Sequence, residues 1–389
     1  MDPIIQEAFA LQEDLTAYRH FLHQNPELGL NLPVTSSFIR SKLDEFGIPN
    51  TFSETSNCVT AVLGQGEKCI MLRADMDALP IKEDTGEPFS SNNEYMHACG
   101  HDLHATALLG AARLLKAHES ELKGKVKLLF QAGEETFTGA DAALNDGVLE
   151  NPHVDVGFAM HSSAAGPVGL IAYGKQPMSS CFGFKIIVKG KSAHGSSPED
   201  GIDPIAAAVH VYLAYQELLA REVPAAQEAA LTIGQFNGGT APNIIPETVE
   251  MQGTLRTFND EVRINLINRM KETAEYVCKA YRCACEFVTL YDVPVVINNP
   301  EMTDCVLEAV NALDAGLVTR DMVHTMGSED FAFISQKLPS TYFAFGAGVE
   351  DVSRRRPHHN PKVVFNDKAL PIGAALYAKV AMHWLEKNA

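Results

Sequence analysis

Short apolar strands alternate with helix patterns along the first 180 residues, and this alternation limits the fold more than any other feature. Apolar segments at 60–64, 69–76, 125–131 and 154–161 have the length and composition of buried strands. Segments at 3–23, 35–47 and after residue 101 repeat apolar residues at helical spacing. Strands that are apolar along their whole length need cover on both faces. The sequence therefore predicts an α/β domain in which helices flank a mixed sheet.

The pattern changes near residue 181. Residues 181–293 alternate as strands around two helix patterns, at 203–222 and 260–281, and Asp203-Pro204 forms a good N-cap and N1 pair. The order β-α-β-β-α-β is that of a ferredoxin-like α+β domain. Because 389 residues exceed one ordinary core, we expect two domains. We predict a larger α/β domain over 1–180 and 294–389, with the α+β domain inserted at 181–293.

Composition excludes several classes of protein. A net charge of −18 disfavours nucleic acid, whose phosphates require lysine and arginine. The chain lacks a run of about 18 apolar residues, so we expect no membrane association. The first twenty residues contain scattered acids and no basic segment, so we expect no signal peptide there. The eight cysteines follow no framework spacing and are expected as free thiols in a reducing cytoplasm.

The segment HACGHDLH, which starts at His97, contains the most unusual chemistry. Cys99 and His101 are two residues apart, so in extended backbone both side chains face one site, just before a helix. Taken alone, the pair fits a metal site, a cysteine nucleophile, a disulfide partner or a structural thiol beside a helix cap.

Two other segments end where apolar strands end. Glu134 and Glu135 follow one strand, and His161 ends another. Open α/β sheets place their sites at the carboxyl edge, so these side chains are expected to converge. The loop RRRPHHNP adds His358 or His359, and the spacing alone does not choose between them. Each feature also has an ordinary explanation, as an acidic turn, a buried histidine or a basic surface loop.

Together these residues offer sulfur, nitrogen and oxygen donors, which suit a zinc- or manganese-class centre. Five donors exceed one tetrahedral site and suit two metals with a shared ligand. Glu134 is then available as the general base.

The chain resembles the M20 metallopeptidase family over nearly its whole length, and specifically its amidohydrolase branch. That branch contains hippurate hydrolases, N-acyl-amino-acid amidohydrolases and indole-acetyl-amino-acid hydrolases. Eight motifs carry the resemblance in order: LRADMDALPI, MHACGHDLHATALLGAARLL, QAGEE, AMH, SAHGSSPEDGIDPI, GGTAPNIIPETVEMQGTLRTF, MGSEDFAF and HHNP.

The resemblance implies a catalytic domain with two divalent ions, zinc or manganese, and an inserted lid domain through which two copies form a homodimer. It implies Glu134 as the base. It implies that metal is bound by Cys99, His101, Glu135, His161 and His359. In the lid it implies that His194 stabilises the oxyanion, reaching across the dimer. It also implies that Asn243 and Arg256 bind the carbonyl and carboxylate of a small N-acyl amino acid. These roles agree with the chemistry of amide hydrolysis. A developing oxyanion needs hydrogen-bond donors, and a free carboxylate is well recognised by the two-pronged guanidinium of arginine.

One motif departs from the wider superfamily. Many M20 peptidases have a His-x-Asp pair where this chain has Asp75 and Asp77. We predict that these two carboxylates orient a metal ligand rather than bind metal. The roles of His97 and His104 stay open.

Several functions compete. Within the family, the alternatives are an N-acetyl-diaminopimelate-type deacetylase and a dipeptidase or carboxypeptidase. A cysteine-nucleophile hydrolase would use Cys99 but leave Glu134, Glu135 and His161 without a role. A catalytically silent metal-binding protein would leave Glu134 unexplained.

Overall fold

Parallel strands form the centre of the larger sheet in this computed structural model, which describes residues 1–322 and 324–389. The helices are α1 (Pro3–Ala10), α2 (Gln12–Gln24), α3 (Pro33–Glu45), α4 (His101–Ala117), α5 (Gly139–Asn145), α6 (Pro204–Glu222), α7 (Asp260–Ala280), α8 (Pro300–Ala312), α9 (Phe331–Ser335) and α10 (Leu370–Asn388). The strands are β1 (Asn50–Phe52), β2 (Val59–Gly64), β3 (Cys69–Asp75), β4 (Lys125–Gln131), β5 (Val156–Pro167), β6 (Leu170–Tyr173), β7 (Cys181–Lys189), β8 (Ala193–His194), β9 (Ala229–Gly238), β10 (Ile244–Ile245), β11 (Thr248–Thr257), β12 (Ala284–Val293), β13 (Val318–Asp321) and β14 (Ser340–Gly348).

The chain divides into two compact units. The first consists of Met1–Pro177, Ile297–Val323 and Asp330–Ala389, and the second of Met178–Val296 and His324–Glu329. Along the sequence the second unit therefore interrupts the first.

The first unit is built on an eight-stranded mixed sheet, as far as the described residues show. Its order is β1-β2-β4-β3-β5-β14-β6-β13, and β4, β3, β5 and β14 are parallel. Every residue of β3 is buried, because helices such as α4 and α10 cover the sheet. The predicted α/β class, with a mixed sheet flanked by helices, is confirmed.

The predicted single helix over 3–23 is wrong in one respect, because the structure divides it at Leu11. The Leu11 amide donates to Ala8 O and ends α1, and Leu11 O accepts from Leu15 as α2 begins. The break lets both short helices turn apolar side chains inward, and Ile5 and Leu15 are both fully buried.

The second unit has the element order β-α-β-β-α-β around a four-stranded antiparallel sheet of order β12-β7-β11-β9. Short β8 and β10 pair separately. Asp203 caps α6 as predicted, accepting from the amides of Ile205 and Ala206. Phe184, Tyr215 and Met270 lie in the apolar core between the sheet and its two helices.

Within the described residues, no helix combines the length and apolar character needed to cross a bilayer.

Candidate metal centre

The carboxyl ends of β3, β4 and β5 meet at one edge of the larger sheet. Asp75, the last residue of β3, pairs with Gln131, the last residue of β4. Arg73 pairs with Ala159, two residues before Asp75 and His161 on their respective strands. The predicted convergence at this edge is therefore confirmed.

The loop that carries Cys99 and His101 reaches the same edge because of Gly100. This residue has a left-handed φ of 89° and precedes the first turn of α4. A Cβ there would lie 2.4 Å from Ser162 Oγ on β5. Only glycine allows this approach, which brings the loop against the end of β5.

Five predicted donors come together: Cys99, His101, Glu135, His161 and His359. Cys99 Sγ lies 3.3 Å from His161 Nε2, and His359 Nε2 lies 3.4 Å from Glu135 Oε1. The donors form two groups whose ligand atoms lie within 4.8 Å of one another, Cys99–His101–His161 and Cys99–Glu135–His359. Cys99 belongs to both groups, and His101 belongs to the first and also to a group with Glu134 and Glu135.

The predicted base lies beside these groups. Glu134 is buried, and its Oε2 is 3.9 Å from His101 Nε2.

The side chains of the centre have the chemistry of a cation site. His101 Nε2 is buried without a hydrogen-bond partner in the described structure, while His101 Nδ1 and Glu135 Oε1 have only ion-pair contacts, with Asp77 at 3.3 Å and His359 at 3.4 Å. Buried polar atoms are costly when unpaired, and divalent ions prefer this mixture of sulfur, nitrogen and oxygen donors. The residues therefore fit a metal.

Burial and neighbouring charges determine the protonation of two of the donors, Cys99 and His161. Burial raises the pKa of the Cys99 thiol, and the Glu135 and Glu134 carboxylates raise it further, well above its ordinary value. Burial, with a smaller effect of His358, lowers the pKa of His161 to about 3. Its imidazole is therefore neutral, the form that binds metal. A cation at the centre would reverse the preference of Cys99 and favour its thiolate.

Asp77 orients three parts of the centre. Its two carboxylate oxygens accept from the backbone amides of Glu134 and Glu135, each at 3.1 Å, and Oδ1 lies 3.3 Å from His101 Nδ1. Asp77 thus fixes the backbone that carries Glu134 and Glu135, and its orientation of a metal ligand stays a prediction.

Asp75 and His104 form a second support behind the centre. The Ser162 amide donates to His104 Nε2 at 2.7 Å, so Nδ1 carries the proton and donates to Asp75 Oδ1 at 2.5 Å. With both nitrogens engaged, His104 ties β3 to β5 rather than offering a donor. The sequence alone leaves its role open.

The structure distinguishes His358 from His359. His358 is half-buried, accepts from the Ala164 amide through Nε2 at 3.3 Å and stacks on Phe365. His359 has a left-handed φ of 62°, and its amide donates to Ala98 O at 3.0 Å. This turn directs His359 toward Glu135.

A buried ion network fixes the first turn of α4, and nothing in the local sequence indicates it. Arg19 Nε donates to Asp102 Oδ2 at 2.9 Å, and His23 Nδ1 lies 2.8 Å from the same oxygen. His23 Nε2 lies 3.3 Å from Glu83 Oε1. The partners in these contacts are 60 to 83 positions apart along the chain, so only the fold brings them together.

The three remaining predicted residues lie in the second unit. His194 on β8 and Ile244 on β10 face each other, and the Gly195 amide donates to Asn243 O at 2.8 Å, so His194 and Asn243 are neighbours. Both are exposed. Arg256, near the end of β11, is half-buried and donates from Nη1 to Met326 O at 2.6 Å and Ser328 Oγ at 3.1 Å.

Comparison with known proteins identifies the family. A family model described as peptidase family M20/M25/M40 matches residues 71–383. The chain belongs to this family. The resemblance drawn from the motifs is confirmed, and the protein is a hydrolase of amide bonds.

Relatives cover the M20 chain almost end to end. Thermostable carboxypeptidase 1 of Saccharolobus solfataricus is 35% identical over 97% of this chain and 97% of its own. Hippurate hydrolase of Campylobacter jejuni is 35% identical over 98% of this chain and 100% of its own. A solved Bacillus subtilis structure, described as a dinuclear metal-binding peptidase of the M20 family, is 34% identical. It covers 97% of this chain and 99% of its own, with a TM-score of 0.83. The comparisons thus support a divalent metal centre in this chain, and the donor groups around Cys99 are its candidate ligands.

The pH dependence of stability should reveal the network behind α4. Burial lowers the pKa of His23, but Asp102 and Glu83 raise it more, to about 9. Because this value exceeds the ordinary 6.5, the imidazolium contributes fully below about pH 6.5 and loses its contribution as pH rises through 9. A rise of the pKa from 6.5 to about 9 corresponds to roughly 3 kcal/mol. We expect His23→Gln to reduce the free energy of unfolding most at pH 6 and much less at pH 10.

Urea unfolding of the metal-loaded protein between pH 5.5 and 10 measures this difference. His153→Gln, at an exposed histidine of the same unit, is the control and should show no trend. An effect of His23→Gln that stayed constant with pH would contradict the charged state assigned to His23.

Proposed function

We propose that this M20 protein is a metal-dependent amidohydrolase of N-acyl amino acids, including N-acetyl and benzoyl compounds. It would release a carboxylic acid and a free amino acid. The observation that carries the proposal is the convergence of two donor groups on Cys99 with Glu134 beside them.

We propose that two divalent ions would be held by five side chains: Cys99, His101, Glu135, His161 and His359. Bound ions supply Lewis-acid polarisation of a water and of the scissile carbonyl. The thiolate favours zinc by softness, and manganese is the alternative where it is more available. A thiolate ligand also suits a reducing, cytoplasmic compartment.

Glu134 would move the proton. Its carboxylate takes a proton from the attacking water as the carbon–oxygen bond forms. It then gives that proton to the nitrogen as the carbon–nitrogen bond breaks. The amide of Glu134 is fixed by Asp77, which limits the positions that the carboxylate can adopt.

The names of the two relatives share one substrate chemistry. Hippurate is benzoyl-glycine, and a carboxypeptidase removes an amino acid that ends in a free carboxylate. In both cases the scissile amide nitrogen belongs to an amino acid with a free α-carboxylate. This shared feature supports the substrate class, while a panel of acyl groups would separate hippurate, acetyl-diaminopimelate and peptide substrates.

Residues of the second unit would recognise the substrate. The Ser196 amide donates to His194 Nδ1 at 3.1 Å, so the proton of the neutral ring lies on Nε2. His194 therefore presents an N–H donor, which suits a developing oxyanion. The guanidinium of Arg256 suits the α-carboxylate, and the exposed amide of Asn243 suits the carbonyl.

A cysteine-nucleophile hydrolase is the second candidate, because Cys99 Sγ and His161 Nε2 are only 3.3 Å apart. Against it, burial keeps the pKa of Cys99 high and that of His161 low, which disfavours a thiolate–imidazolium pair. Activity that survived chelation would favour this candidate.

Glu134→Gln should abolish turnover without emptying the metal centre. We expect kcat to fall by about 10²–10⁴-fold, because a general base contributes on that order. Amino-acid release from hippurate and N-acetyl-methionine, together with bound metal by mass spectrometry, measures both effects. Glu121→Gln, at an exposed acid of the same unit, is the control. Wild-type turnover by metal-loaded Glu134→Gln would show that another group is the base.

The free carboxylate should be essential for binding. We expect hippurate to lose most of its kcat/KM when its carboxylate is replaced by a carboxamide, since a charge-assisted bond is lost. Arg256→Met should raise KM for hippurate at least about tenfold and remove this preference. Equal selectivity in wild type and Arg256→Met would exclude Arg256 from carboxylate recognition.

We also propose a homodimer through the second unit. Strand β9 is an edge strand of its sheet, and α6, which packs against it, exposes an apolar stripe: Ile205, Val209, Tyr212 and Leu213. An unpaired edge beside exposed apolar residues is typical of a surface that another chain covers. In such a dimer His194 would serve the partner's metal centre.

Light scattering after gel filtration tests the dimer. We expect Leu213→Glu to shift the protein toward monomer and to lower turnover, because charge at a covered apolar surface is costly. Ile264→Glu, at an exposed position of α7 in the same unit, is the control and should leave the mass measured by light scattering unchanged. A monomeric wild-type enzyme with full activity would refute this arrangement.

A further inference from the structure

A cavity of about 460 Å³ opens in the first unit, bounded by β1, β2, β4 and the segment after α5. Its volume falls in the range of small-molecule sites. Neither the five proposed metal donors nor Glu134 lines it. The proposed reaction therefore leaves this cavity without a role.

A buried lysine forms part of the lining. Lys127 on β4 is only 4% exposed. In the described structure it makes no ion pair, and its Nζ donates to the backbone oxygen of Glu150 at 2.7 Å. Lysines this buried are normally paired with an anion, because an unpaired charge is costly inside a protein. Consistent with that cost, burial lowers the pKa of Lys127, and nearby Cys69 and Glu150 reduce the effect only in part.

The exposed part of the cavity has the opposite charge. Asp146 and Glu150 line it and are exposed. Ser53 Oγ and the Ser56 amide donate to Asp146. Burial raises the pKa of Asp146, but the bonds from Ser53 and Ser56 together lower it below its ordinary value, so the carboxylate stays ionised. The cavity thus has a buried cation and an exposed acidic rim.

Apolar side chains also face the space. Ala143 and Val148, both buried, and Val62 of β2 line the cavity. They offer a surface for an aliphatic group between the two charged regions.

We propose that this cavity binds a free aliphatic amino acid. The α-carboxylate would pair with the Lys127 ammonium, the α-ammonium would face Asp146 and Glu150, and the side chain would contact Ala143 and Val148. A dianion such as phosphate would satisfy Lys127 but face the acidic rim. An amine would satisfy the rim and leave Lys127 unpaired. The site stands independently of the proposed reaction.

Three matched probes test the charge pattern on the metal-loaded enzyme: leucine, 4-methylpentanoate, which lacks the ammonium, and 3-methylbutylamine, which lacks the carboxylate. Hydrogen exchange followed by mass spectrometry reports on segments 49–62 and 143–151. We expect leucine to slow exchange in both segments, 4-methylpentanoate to act more weakly and the amine to have no effect. Protection confined to 97–104 and 131–135 would place leucine at the metal centre only and overturn the proposal.

Two lysine variants make the test specific. Lys127→Met should weaken leucine binding at least about tenfold by calorimetry, because it removes a buried charged partner. Its melting temperature without leucine should be no lower than that of wild type, since the lost charge was unpaired. Lys125→Met, on the same strand but outside the cavity, should bind leucine like wild type. Equal leucine binding by Lys127→Met and wild type would overturn the proposal.

A rim variant covers the case in which Lys127→Met does not fold. Asp146→Asn keeps an acceptor for Ser53 and Ser56 but removes the exposed charge. It should reduce the preference for leucine over 4-methylpentanoate. An unchanged preference would contradict the assignment of the α-ammonium to the rim.

Discussion

The carboxylate of Asp77 accepts hydrogen bonds from the backbone amides of both Glu134 and Glu135, and its Oδ1 lies 3.3 Å from His101 Nδ1. One carboxylate thereby connects the end of β3 to the turn after β4 and to the first residue of α4. The proposed base and one metal donor are adjacent residues on that turn, so their side chains diverge from a backbone that Asp77 holds in place. The proposed difference in role between Glu134 and Glu135 would depend on this anchoring.

Further buried ions extend the rigid region around the sheet edge. Arg73 contacts Asp75 at 2.7 Å and Asp330 at 2.9 Å, and Gln131 donates to both oxygens of Asp330. Asp330 also accepts from the amide of Ala140 at the start of α5. Each charge has a partner of opposite sign, which is the condition under which burial is tolerated. Buried ion pairs thus support an edge of the sheet at which several carboxylates lie close together.

The sequence is informative about residues at strand ends and helix starts. Parallel apolar strands end at the same edge of a sheet, which is enough to predict that Glu134, Glu135 and His161 lie together. The Cys99-x-His101 pattern before a helix predicts that a loop brings two more donors to that edge. Spacing cannot choose between His358 and His359, because that choice depends on a left-handed residue in a loop. Nor can it find Arg19, His23 and Glu83 around Asp102, since contacts between distant segments exist only after folding. The break at Leu11 escapes prediction for a similar reason, since packing rather than helical periodicity sets it.

Cys99 belongs to both donor groups, and this has a consequence for how the centre fills. Burial favours the protonated thiol of Cys99, so an ion that bound there would displace its proton and leave a thiolate within reach of both groups. The two positions would then be thermodynamically linked rather than independent, so the affinity of each would depend on whether the other is filled.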